Sequence, residues 1–331
     1  MRRIACRAHG PLETLTLETD APAPEPGPDE VAIDVAAAGL NYADTLMVAG
    51  SYQATPALPF APGLEAAGTV RAVGAGVDGL SVGQRVLAIL DSGGFAEVAL
   101  AAARDVFPVP DAIDMATAAG FPITYGTAHG ALVWRAQLKA GETLLVHGAA
   151  GGAGLAAVEV GKTLGAYVIA TAGGPEKTAI AADHRADRVI DYKTQDVRET
   201  VKQLTDGRGV DVVFDPVGGE MFDASLRCIA WCGRIVVIGF ASGTVPQPKA
   251  NHLLVKNVGV MGLYWGSYRA RAPELMRRQF EDLFAWYRSG CLHPLISKRY
   301  PLSEAVQALG DLKARKATGK LVLEVRDSGG A

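Results

Sequence analysis

The stretch "TLLVHGAAGGAGLAAVEVGKTLG", beginning at Thr143, restricts the possible folds more than any other part of the chain. A short apolar run of strand type stops in a cluster of small residues, Ala149-Ala150-Gly151-Gly152-Ala153-Gly154, and the pattern then continues with helical spacing. Against the dinucleotide fingerprint G-x-G-x-x-G, alanine stands in the first place and glycine in the second and third. A bare backbone between a strand and a helix presents free N–H groups and the positive end of the helix dipole, which together hold a pyrophosphate. Gly151 would let the phosphates approach, and Gly154 would let helix and strand pack closely. The other reading of the same window is a tight strand-to-helix turn with no ligand.

The surrounding rhythm supports a nucleotide domain. From about 122 to 260, runs such as "YVIATAG", "RVIDY", "VDVVFDPVGG" and "RIVVIGFASG" alternate with helical patterns, as buried parallel strands of a doubly wound α/β sheet do. Residues 1 to about 120 read instead as short strands broken by Gly and Pro, among them "EVAIDVAAAG", "AAGTVRAVG", "QRVLAIL" and "FAEVAL", which predicts a mainly β, partly barrel-shaped module. After 260, two helices are expected, over "ELMRRQFEDLFAWYRSG" and over "SEAVQALGDLKARKATG" with Ser303 as N-cap, followed by the strand "KLVLEV". This tail is too short for a domain of its own. The expected organisation is therefore 1–121 with 261–331 as the β-rich domain and 122–260 as the inserted sheet domain.

With 331 residues, 49% of them hydrophobic, the chain can bury two cores. Thirty-two basic and 35 acidic residues give a net charge of −3 without charged blocks, so neither nucleic acid nor an anionic membrane is expected as a partner. No apolar run approaches the roughly 20 residues of a membrane span, and no signal-peptide pattern follows "MRRIACRAHG". Four scattered cysteines fit a reducing compartment, with Cys228 and Cys232 read as a core pair at a helix end, and the cytoplasm is the expectation.

An NAD site would carry an acidic residue about 20 positions beyond the glycine cluster, at the end of the second strand. That place reads Thr171-Ala172-Gly173-Gly174, without a carboxylate, and Lys177 follows on the next turn. A missing acid and an available lysine favour the 2′-phosphate of NADPH. Ligands of such sheets bind beyond the carboxyl ends of the strands, where Tyr192, Val217 and Phe240 fall; each is either a ligand neighbour or core packing.

Together the segments "AGLNYADTLMVAGSY", "PFAPGLEAAGTVRAVGAGV", "GGFAEVAL", "FPITYGTAHGAL", "LLVHGAAGGAG" and "FDPVGG" resemble the medium-chain dehydrogenase/reductase superfamily. Within it they resemble the zinc-free quinone oxidoreductase branch that includes zeta-crystallin. The resemblance implies a Rossmann sheet inserted into a GroES-like domain, and a homodimer in which "RIVVIGF" is the edge strand pairing across subunits. It also implies that Asn41, Tyr42 and Thr127 line the nicotinamide side, that Gly151, Gly152 and Ala153 form the pyrophosphate turn, that Gly173, Lys177 and Tyr192 form the adenosine-phosphate pocket, and that Val217, Phe240, Leu263 and Tyr264 lie in loops around the nicotinamide. Zinc enzymes of the superfamily use a cysteine near "AGLNYAD" and a histidine in G-H-E; here Asn41 and Tyr42 stand in the first and Gly63-Leu64-Glu65 in the second, so no metal is expected.

The expected chemistry is hydride transfer from NADPH to a quinone, in a pocket formed by "NYADTLMVAGSY" and "GLYWGSY". Asn41 would donate a hydrogen bond to the acceptor oxygen, and Tyr52 would deliver the proton. Tyr52, Tyr264, Trp265 and Phe240 would supply flat faces for the acceptor, ordinary packing being the other reading of each tyrosine and of Trp265. Two rivals stand beside this one: an enoyl-CoA or alkenal reductase acting on an α,β-unsaturated carbonyl, approached past Arg269, Arg271, Arg277 and Arg278, and a non-catalytic NADPH-binding protein.

Overall fold

A computed structural model describes residues 1–326 and divides the chain into two compact units, Met1–Ile123 with the segment from Pro294 on, and Thr124–His293. In chain order the first unit contains β1 (Arg3–Ala5), β2 (Thr16–Glu18), β3 (Glu30–Gly39), α1 (Tyr42–Val48), β4 (Glu65–Val73), β5 (Arg85–Ile89), β6 (Val98–Ala102), β7 (Val106–Pro108) and α2 (Met115–Gly120). Helix α3 (Pro122–His129) then carries the chain out of it. The second unit continues with β8 (Thr143–Val146), α4 (Gly152–Thr163), β9 (Tyr167–Ala172), α5 (Pro175–Asp183), β10 (Arg188–Asp191), α6 (Val197–Leu204) and β11 (Val210–Asp215). It ends with α7 (Gly219–Cys228), β12 (Ile229–Val237), α8 (Ala250–Lys256), β13 (Gly259–Gly262), α9 (Tyr268–Arg271) and α10 (Pro273–Arg288). The chain returns to the first unit through β14 (Ile296–Pro301), α11 (Ala305–Lys313) and β15 (Lys320–Glu324).

In the first unit, β3 is the spine. Its run "EVAIDVAAAG" is bordered by β4, β6 and β15, all antiparallel to it, within the order β14-β15-β3-β4-β5-β7. Val31, Ile33 and Val35 alternate into a core shared with Leu87's neighbours Val86 and Ala88, with Phe95, and with Leu321 and Leu323 from the returning tail. The expected β-rich, GroES-like module is thus present, and the C-terminal strand completes it.

The second unit is a six-stranded parallel sheet in the order β10-β9-β8-β11-β12-β13. Counted from β8, that is the order 3-2-1-4-5-6 of a Rossmann fold, with its switch point between β8 and β11. Continuous Val/Ile/Leu runs are required because helices cover both faces, and Leu145, Ile169, Val213 and Ile235 are all fully buried.

Four expectations are corrected. Residues 261–293 belong with the sheet unit and not with the β-rich one, because β13 extends the sheet beside β12 and α10 packs within the same unit. The strand containing "RIVV" is not the edge: β13 lies outside it, and its "GVMG" is too short and glycine-rich to signal a strand. Ser303 lies in a 3₁₀ turn, Leu302–Glu304, that precedes α11 instead of capping it. Cys228 is buried as expected of a core residue, whereas Cys232 is exposed at a left-handed backbone position, φ 61°. Among the described residues no helix is long and apolar enough to cross a membrane.

Candidate functional site

In the sheet unit, β8 runs into the loop His147–Gly151, and Gly151 caps α4 with extended backbone. The two glycines of the fingerprint play different parts. A Cβ on Gly154 would overlap the Gly148 carbonyl oxygen, so the fold itself requires glycine there. At Gly151 the nearest atom to a Cβ would be that same oxygen at 3.5 Å, an ordinary contact, so packing does not demand glycine. Gly151 stands at the start of a 12-residue helix whose first N–H groups are unpaired within the helix. Gly151, Gly152 and Ala153 are all partly exposed. The root of the loop is fixed by His147, fully buried between Thr171 Oγ1 at 3.0 Å and Ser225 Oγ at 2.6 Å.

The end of β9 has no acidic side chain. A carboxylate does lie nearby, on Asp191 at the end of β10, but its Oδ1 accepts the backbone N–H of Gly174 at 2.9 Å and of Lys193 at 3.0 Å. Those two bonds hold the carboxyl below the usual range and tie it to the turn. The Tyr192 hydroxyl lies over Gly173, 2.5 Å from where a Cβ would stand, and the Lys193 ammonium lies 3.7 Å from the Cβ position of Gly174. Lys177 is half-buried in the first turn of α5. The structure therefore brings Gly173, Lys177 and Tyr192 to one strand edge and adds Lys193. The sequence reading missed Lys193 although it directly follows Tyr192.

The remaining positions of this unit separate into exposed and buried ones. Asp215 Oδ1 accepts the N–H groups of Val217 and Gly218, which bends the chain so that Val217 is half-buried beyond β11. Phe240 and Tyr264 are exposed, while Leu263 and Thr127 are buried. Trp265 is not a flat face for a ligand but a packing residue: it is buried, and its indole N–H donates to Gln279 Oε1 at 2.9 Å. Gln279 Nε2 in turn donates to the Gly126 carbonyl at 2.9 Å and meets His129 Nδ1 at 3.1 Å, so one buried amide joins the 263–265 loop to α3 beside Thr127. Arg277 is engaged by Glu274 and Glu281 along its own helix.

In the β-rich unit, Asn41 caps α1 and is almost wholly buried, at 8% exposure. Its N–H donates to Asp44 Oδ2 at 2.7 Å, and Asp44 Oδ1 accepts from Gly63 N–H at 3.1 Å. Its side-chain Nδ2 donates to Glu65 Oε1 at 2.9 Å, and its Oδ1 accepts from Lys320 Nζ at 2.6 Å. Tyr42 is exposed, and Tyr52 is half-buried with its ring against the unit's core. No sequence signal pointed to Lys320 as a neighbour of Asn41, whereas Glu65 ends the Gly63-Leu64-Glu65 segment that the resemblance set beside it. Lys320 lies in β15, 279 residues from Asn41.

Zinc does not fit this site. Leu64 carries no donor atom, and Glu65 Oε1 and Oε2 are taken by Lys320, Asn41 and the Ile123 N–H. Among the described residues no three His, Cys, Asp or Glu side chains converge as a metal site.

Residues 27–111 match the model of the alcohol dehydrogenase GroES-like domain, and residues 152–281 that of the zinc-binding dehydrogenase. A quinone oxidoreductase of Pseudomonas aeruginosa is 39% identical over 324 residues, 97% of this chain and 99% of that protein. The solved Escherichia coli quinone oxidoreductase complexed with NADPH superposes with a TM-score of 0.91 at 32% identity, covering 98% of this chain and all of that one. A mycobacterial protein complexed with NADPH gives 0.91 at 35% identity, with coverage of 98% and 100%.

Proposed function

The chain belongs to the quinone oxidoreductase branch of the medium-chain dehydrogenase/reductase superfamily, and on that premise we propose that it transfers a hydride from NADPH to a quinone without a metal. It is an NADPH-dependent oxidoreductase. NADPH supplies the hydride; the residues of the chain bind it, orient it and complete the acceptor's reduction. Gly151, Gly152 and Ala153 receive the pyrophosphate, and Gly173, Tyr192, Lys177 and Lys193 receive the 2′-phosphate. Val217, Phe240, Leu263, Tyr264 and Thr127 shape the nicotinamide end.

The observation that carries the reading is the Asn41 amide. One of its Nδ2 hydrogens is bound to Glu65 and the other has no partner among the described residues. A quinone oxygen gains negative charge as hydride arrives, and a donor already in place stabilises that charge without reorganisation. Tyr52 delivers a proton, so that hydride plus proton converts the quinone to a hydroquinone.

Two copies pair through β13, the edge strand of the sheet. Trp231, Leu254 and Val255 support this, since each is more than 70% exposed on the adjoining β12 and α8. Four free cysteines support residence in the cytoplasm.

Steady-state oxidation of NADPH with 1,4-benzoquinone, 2-alkenals and crotonyl-CoA tests the reading. The highest kcat/KM is expected with the quinone. A large preference for an enone or thioester overturns the substrate, and tight NADPH binding with no turnover on any acceptor overturns the enzyme.

A further inference from the structure

Asn41 does not stand alone in the β-rich unit; it is gripped by a buried ion pair. Lys320 Nζ lies 2.5 Å from Glu65 Oε1, with the lysine side chain 7% exposed and the glutamate fully buried. Glu65 Oε2 accepts the Ile123 N–H at 2.8 Å, which fixes the carboxylate from its other side. Space for the pair is made by glycine: a Cβ on Gly39 would stand 2.5 Å from Glu65 Oε1, and one on Gly120 would stand 2.7 Å from Lys320 Cγ.

Burying two charges is unfavourable unless their remaining bonding capacity is used, and removing one partner is worse than removing both. Core packing alone would be served as well by two apolar side chains. What apolar side chains could not do is orient an amide. Lys320 has only donors, so the atom of Asn41 facing it must be Oδ1. Glu65, ionised against the lysine, has only acceptors, so the atom facing it must be Nδ2. A flipped amide would set donor against donor and acceptor against acceptor. The ion pair therefore determines which end of Asn41 is which, and leaves the second Nδ2 hydrogen unshared among the described residues.

The geometry points to Lys320 and Glu65 as positioning residues for the reduction, holding Asn41 as a fixed donor to the acceptor's carbonyl oxygen. This rests on the role given to Asn41 above. The ammonium at Oδ1 also polarises the amide, so that its N–H is a stronger donor toward developing negative charge. Neither side chain touches the acceptor; both act through Asn41.

A double-mutant cycle tests the assignment, with kcat measured on NADPH and 1,4-benzoquinone, NADPH Kd measured by fluorescence titration, and melting followed by circular dichroism. Asn41→Ala and Lys320→Met are each expected to lower kcat by roughly 10- to 100-fold. NADPH Kd should stay within about twofold, and the double variant should be no slower than the worse single one. Losses that multiply, or a Lys320→Met protein with wild-type kcat, overturn the proposal. Should Lys320→Met fail to fold because Glu65 is left charged and unpaired, Lys320→Met/Glu65→Gln removes both charges and enters the same cycle. An Asn41→Ala enzyme at wild-type kcat, or a wild type idle on every acceptor, overturns both this proposal and the role of Asn41. A slow Asn41→Ala beside a fast Lys320→Met overturns the positioning role alone.

Discussion

The hydroxyl of Tyr192 rests over the backbone of Gly173, 2.5 Å from the point where a Cβ would project. The obstacle is the far end of an exposed side chain, not backbone, so it can swing aside. Gly173→Ala should therefore change stability by less than about 1 kcal/mol while displacing the phenol from the strand edge. The expected outcome is a KM for NADPH several-fold higher with NADH almost unaffected. Equal effects on both cofactors would remove Tyr192 from the phosphate pocket.

Lys177 and Lys193 approach the same edge from α5 and from the turn after β10. Each is expected to contribute a charge-assisted bond to the 2′-phosphate, so Lys177→Ala and Lys193→Ala should each raise the KM for NADPH by up to about tenfold, leaving NADH unchanged. Because Lys193 is exposed, its share should shrink as ionic strength rises from 0.05 to about 0.5 M. A salt-independent effect would point to altered backbone instead of lost charge.

Substitutions at Gly151 and Gly154 are expected to separate cofactor binding from folding. A methyl on Gly154 meets the Gly148 carbonyl, a backbone atom that cannot yield without moving the loop. Gly154→Ala should lose several kcal/mol or give no soluble protein. Gly151→Ala meets only an ordinary contact and should melt within about 1 kcal/mol of the wild type, with NADPH Kd clearly weakened. Differential scanning calorimetry and fluorescence titration on the two variants read the two effects separately.

Local pattern was enough to recognise the nucleotide unit, because a buried parallel strand, a bare turn and an amphipathic helix all leave their marks within some 20 residues. The strands of the β-rich unit were legible for the same reason, and β3 matches its "EVAIDVAAAG" run end to end. What escaped the sequence reading depends on distance along the chain. Lys320 meets Asn41 only after β15 has docked on β3. Trp265 resembles an exposed platform until Gln279, 14 residues away, is seen to cap its indole. The edge of the sheet was misplaced because "GVMG" borrows its strand character from β12 and has little of its own.

Asp44 makes stability depend on pH. Burial pushes its carboxyl up to about 7 from the ordinary 3.8, against the backbone bonds from Asn41 and Gly63 and the Lys320 charge, which pull it down. A carboxyl that holds its proton more tightly when folded stabilises the fold fully below about pH 3.8, and that contribution is lost as pH rises to about 7. Asp44→Asn cannot titrate. The wild type should therefore lose stability relative to this variant between pH 5 and 7, and the difference should level off above that range. Urea melts of both proteins in half-unit steps provide the check, and a difference that stays constant from pH 5 to 8 refutes it.

Gln279 is the rivet between the 263–265 loop and α3, and its amide is fully used: Oε1 by Trp265, and both Nε2 hydrogens by Gly126 and His129. His129 can accept because burial pushes its imidazole down to about 4, leaving it neutral at pH 7. Gln279→Met keeps most of the volume and removes every bond, so the Trp265 N–H and the Gly126 carbonyl are left without their buried partner. A loss of about 2–4 kcal/mol is expected, together with a shift in tryptophan emission as Trp265 loosens. Leu263 and Tyr264 would lose their anchor with it, so NADPH Kd should weaken in parallel. Unchanged NADPH affinity in a destabilised Gln279→Met protein would show that the loop holds its shape without the rivet.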